Sequence, residues 1–186
     1  FTQTNNPSSV SAWSAYDASR ISIWKRIYQK MQATSNGSYC ILEHFAENTE
    51  EKELAEAGMM LWGNMNYNFN EATMGYVQNS NFEWGLSSKR GWNVQHLVTY
   101  PESHDEERLM YKNITYGNSS GNYNVKDLNT ALKRHALAAA FWSMMPGPKM
   151  VWQFSELGYD QSITWCPNTN TVPNPYPSDQ CKLDKK

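Results

Sequence analysis

Carboxylates and imidazoles gather at two places in this chain. The first is Glu43-His44, with Glu47 close behind, and the second is the run Glu102-Ser103-His104-Asp105-Glu106-Glu107-Arg108. Paired carboxyl groups suit the cleavage of glycosidic bonds. One, held protonated, gives a proton to the leaving oxygen, while another, ionised, attacks the sugar or activates water. Burial and a neighbouring carboxylate supply the raised pKa that the acid needs. Plain structural roles stand beside these. A Glu after a strand more often caps a helix or faces solvent than catalyses, and a His-Asp pair serves a metal or a loop hydrogen bond as well as a substrate. Zinc hydrolysis fits poorly, because the chain has 4 His, none in an i, i+4 pair, and no close Cys pair. It also lacks a Gly-rich phosphate loop. No metal ligands are assigned.

Both clusters follow short apolar runs. Tyr39-Cys40-Ile41-Leu42 leads into Glu43, and His96-Leu97-Val98-Thr99-Tyr100 leads through Pro101 into Glu102. Two more such runs are Met59-Met60-Leu61-Trp62 and Met150-Val151-Trp152-Gln153-Phe154. All four read as buried parallel strands. Helical spacing fills the gaps. Ile21, Trp24, Tyr28 and Met31 share a face before the stop Ser35-Asn36-Gly37-Ser38. A helix start is expected at Thr49, with carboxylates through Glu56. Asp127 reads as the N-cap of a long helix with Leu128, Leu132, His135, Ala139 and Trp142 on one face, ended by Pro146-Gly147-Pro148. The stretch Gly63 to Tyr76 is mixed and gives no clear period. Phe1 to Ser11 reads as a loop, and residues 164–186 as an irregular Asn- and Pro-rich tail.

Strands alternating with helices predict an α/β fold with a parallel sheet and right-handed crossovers. Residues at the C-terminal ends of such strands face the usual active-site side. Four β/α units make half of an eight-unit barrel, or a small open sheet.

Composition bounds the partners. The chain has 186 residues, enough for one domain, with 40% hydrophobic and 18% charged residues. A net charge of −2 and the lack of a basic run argue against nucleic acid. No apolar run reaches the length of a membrane span. Aromatic residues make up 13%, including 8 Trp and 11 Tyr, which either fill a core or line a sugar-binding cleft. Cys40 reads as a buried free thiol, while Cys166 and Cys181 flank a polar loop at a spacing that permits a disulfide without requiring one. Asn36, Asn113 and Asn118 head Asn-x-Ser/Thr triplets.

Read in order, Ile41-Leu42-Glu43-His44-Phe45, Glu102-Ser103-His104-Asp105, Ala138-Ala139-Ala140 through Pro146-Gly147, and Gln153-Phe154-Ser155-Glu156-Leu157-Gly158 resemble the α-amylase family of glycoside hydrolases. The resemblance covers most of the chain, roughly Phe1 to Asp160. It implies half of a (β/α)8 TIM barrel, strands five to eight, within one partial catalytic domain over 1–186. It implies that Glu43 is the general acid/base, Asp105 the stabiliser of the transition state and His104 a sugar-binding residue. The substrate would be an α-linked glucan, oligo- or polysaccharide, and the protein secreted or at the cell surface. The family's nucleophile, an Asp two residues after an Arg at the end of strand four, has no match here, so the chain alone is expected to be inactive. No cofactor is expected in this chain; calcium ligands, usual in the family, would belong to strands one to four. Where the family often has Asn before the His, this chain has Ser103. Open edges of a half-barrel suggest a homo-oligomer. The rival reading is a non-catalytic carbohydrate-binding or structural module.

Overall fold

The computed structural model describes residues 13–163. The loop expected over Phe1 to Ser11, the tail over 164–186 and the Cys166–Cys181 pair lie outside the described residues. The architecture is mixed α/β, with a three-stranded parallel sheet in the order β1-β2-β3. The strands are β1 (Ile41–Leu42), β2 (Met60–Asn64) and β3 (Leu97–Tyr100). Ile41 pairs with Met60 and Leu42 with Leu61. The chain divides into two compact units. The first takes the chain up to Gly63, Glu83–Thr99 and Met145–Met150; the second takes Asn64–Phe82, Tyr100–Met144 and the chain from Val151.

In the first unit, α1 (Ala18–Thr34) begins at Asp17, whose side chain accepts from the N–H groups of Ser19 and Arg20 and so satisfies two orphan donors. Its expected stripe holds: Ile21 is buried, and Trp24, Tyr28 and Met31 pack against the core. That core also gathers Cys40, Leu42, Leu54, Met59, Leu61, Trp92 and Leu97. Cys40 is a buried free thiol. Helix α2 (Asn48–Glu56) starts slightly before Thr49, because Glu47 supplies the cap. Gly63 is required by close approach, since a Cβ there would lie 2.8 Å from the Leu97 side chain.

The second unit contains α3 (Asn66–Met74), α4 (Leu109–Tyr116), a small hairpin of β4 (Ser119–Ser120) and β5 (Tyr123–Asn124), and α5 (Leu128–Ser143). Met65, Phe69, Met74, Tyr100, Leu109, Met110, Val125 and Trp142 are buried here. Asp127 caps α5 by accepting from Thr130 N–H, as its sequence predicts. The buried face of α5 differs from expectation. Ala131, His135 and Trp142 are inside, whereas Leu128 and Leu132 are exposed. The buried face keeps His135 and Trp142 of the expected stripe and has Ala131 in place of Leu128 and Leu132.

The fourth apolar run is not a strand. Lys149 forms one parallel bridge with Thr99, and Met150 N–H donates to Thr99 carbonyl at 3.1 Å. Pro146 and Pro148 lack N–H groups for a ladder, and Phe154 takes a left-handed conformation (φ 66°) that a pleated strand cannot contain. A single turn of 3₁₀ helix, Ser155–Leu157, follows. Asn113 is fully buried on α4, so its triplet offers no accessible acceptor in the folded chain, while Asn36 and Asn118 are exposed. Among the described residues, no helix is long and apolar enough to cross a membrane.

Candidate functional site

Glu43 follows β1 directly, in the first unit, and is partly buried. The next residues are pinned by two buried ion-pair systems. The Glu50 carboxylate accepts from Arg20 Nε at 2.6 Å, Arg20 Nη2 at 2.7 Å and Asp17 N–H at 2.8 Å, and pairs with His44 Nε2 at 2.6 Å. Burial pushes the Glu50 carboxyl up, but His44, Arg20 and the Asp17 N–H outweigh it and hold the group below its ordinary range. His44 and Glu50 are both buried, and Trp24 meets the imidazole edge-on at 6.3 Å.

Glu51 forms the second system. One oxygen accepts from Ala46 N–H at 3.0 Å, and the other from Arg90 Nη1 at 2.9 Å. Phe45, between the two pinned residues, is left-handed (φ 51°), a conformation that bulky residues rarely adopt. The flanking bonds of His44 and Ala46 therefore hold a sharp turn directly after Glu43. Burial raises the Glu51 carboxyl to about 7, against the pull of Arg90. The Arg90 guanidinium lies over Trp84 at 4.7 Å and Trp92 at 5.5 Å.

His104 and Asp105 lie in the second unit, in the turn after β3. The structure brings these two together, with His104 Nε2 3.3 Å from Asp105 Oδ2, and both are well exposed. Ser103, buried, accepts from Asp105 N–H at 3.2 Å and donates to Glu106. Asn64 also donates to Glu106. Burial raises the Glu106 carboxyl, opposed by the Ser103 hydrogen bond. Ser103 thus ties the backbone of Asp105 to the carboxyl beyond it.

Glu102 has a structural role. It is buried, accepts from Leu109 N–H at 2.7 Å at the start of α4, and pairs with Arg108 Nη1 at 3.1 Å. The same Arg108 nitrogen donates to Gln153 carbonyl at 3.1 Å, and the guanidinium lies over Tyr159 at 5.1 Å. Glu107 accepts from Ser162 Oγ at 2.7 Å and Ile163 N–H at 2.9 Å. Two neighbouring residues therefore fasten the segment 153–163 beside the turn that carries His104 and Asp105.

The sequence did not single out Arg20 or Arg90, and it placed Arg108 in the second cluster without a role. The available signal was the coincidence of each Arg with a carboxylate in an otherwise apolar setting, which leaves the partner undetermined. No protein-family model matches the chain, and no curated protein matches its sequence.

Proposed function

We propose that the chain is the second half of a (β/α)8 barrel, strands five to eight, from a retaining glycoside hydrolase of α-amylase type that acts on α-linked glucans. The observation that carries this reading is positional. Glu43 directly follows one strand of a parallel sheet, and the His104–Asp105 pair lies in the turn after another. Strand C-terminal ends are where such folds keep their chemistry. In the working enzyme, Glu43 protonates the glycosidic oxygen and later takes a proton from water, while Asp105 holds sugar hydroxyls as positive charge develops at the anomeric carbon. His104 donates to the same sugar. Secretion or display at the cell surface accompanies this reading. The test is retention of the chain on insoluble starch. Wild type is retained and the double variant H104A/D105A is largely released; equal retention of both refutes the assignment.

A second reading, a carbohydrate-binding module without catalysis, is favoured by Trp84. The residue is 52% exposed, and its ring is backed by the Arg90 guanidinium. Under that reading, W84A releases the chain from starch and H104A/D105A does not.

A further inference from the structure

We propose that Trp152 is the stacking wall of the sugar position at His104–Asp105, so that a pyranose held through its hydroxyls by the pair lays a C–H face on the indole. The inference rests on the glucan reading above and extends it to a residue that no motif marks.

A pyranose presents hydroxyls around its edge and C–H groups on its faces. A site for it needs polar groups in the plane of the ring and a flat apolar surface beneath. His104 and Asp105 supply the first, with Nε2 and Oδ2 3.3 Å apart and side chains 45% and 68% exposed. Trp152 supplies the second. Its ring centroid lies 5.7 Å from that of His104 at an interplanar angle of 44°, and the side chain is only partly buried. The two rings are tilted rather than stacked, so the imidazole does not cap the indole face to face. The polar pair and the aromatic ring therefore lie side by side.

The wall is fixed before any ligand arrives. The residue after Trp152 is bound through its carbonyl by Arg108, which is itself paired with buried Glu102. Tyr159 lies under the same guanidinium, and Phe154 lies 6.0 Å from Tyr159. A rigid aromatic surface loses little conformational freedom on binding, so its contact area converts efficiently into affinity.

The test is calorimetric titration of the full chain with maltoheptaose, comparing wild type, W152F, W152A and D105N. Truncation to Ala is expected to raise Kd about tenfold, and W152F to stay within about threefold of wild type, since a flat ring remains. Intermolecular NOEs between Trp152 ring protons and sugar C–H protons give a readout that needs no variant to fold. NOEs with a tenfold loss in W152A support the proposal. If D105N weakens binding while W152A matches wild type and no NOE is seen, the stacking wall is wrong and the glucan reading stands. If wild type does not bind maltoheptaose, the glucan reading falls and the wall falls with it.

Discussion

Arg20 and Glu50 face each other as a two-pronged buried ion pair, with Arg20 Nε 2.6 Å from one carboxylate oxygen and Nη2 2.7 Å from the other. Both side chains are almost fully buried. Such a pair contributes little net stability over an apolar replacement, but removing one partner strands a charge. R20M is therefore expected to cost about 3–5 kcal/mol of unfolding free energy. Urea denaturation measures it, and a loss below about 1 kcal/mol, the range of a surface pair, would contradict the buried geometry.

The neighbouring carboxyl gives a pH signature of opposite sign. Burial raises Glu51 from an ordinary 4.5 to about 7 in the folded chain. Between these values the native state binds more protons than the unfolded state, so stability is lost as pH rises through the window. Relative to E51Q, wild type should be most stable near the bottom of that window and lose ground up to pH 7, then level off. Thermal melts across that range check this; an advantage that grows with pH would contradict it. Glu50, held below its ordinary range, behaves the other way: its contribution is lost as pH falls.

Strand β1 lies at one edge of the sheet order, and Ile41 on it is 51% exposed. An edge strand with an exposed apolar side chain invites pairing. Light scattering should show mass rising with concentration, and I41K should suppress the rise. A monomer at high concentration in wild type would contradict self-association.

No Arg-x-Asp triplet occurs in the chain, so the glucan reading supplies an acid/base and a stabiliser without a nucleophile. On that reading the covalent glycosyl intermediate lacks the Asp that the resemblance implies for it. Incubation with soluble starch should release no reducing sugar above background. Turnover that is lost in E43Q would show that another carboxylate serves as nucleophile.

Much of the frame is legible in the residues themselves. The runs before Glu43 and Glu102 become β1 and β3, Met59 to Trp62 overlaps β2, and Asp127 caps α5. What resists sequence reading depends on partners distant along the chain. Helix α3 is rich in Asn, a poor helix former, and is held from outside: Asn66 Nδ2 donates to the carbonyls of Pro101 and Glu107, at 2.8 and 2.9 Å. Helix α4 is short and begins where Glu102 caps Leu109. The run Met150 to Phe154 has the composition of a strand, yet its left-handed Phe154 ends any pairing. At the site, the positions of Glu43, His104 and Asp105 after strands follow from local order. The meeting of Trp152 with His104 does not, because it depends on how Arg108 fastens a segment 45 residues away.

The most direct test of the central claim is an amide chemical-shift map of the chain titrated with maltoheptaose and, separately, with a β-linked cello-oligosaccharide. Saturable shifts are expected at His104, Asp105 and Glu43 with the α-linked sugar, and none of comparable size with the β-linked one. Shifts centred on Trp84 instead, equal responses to both sugars, or no response to either would contradict it.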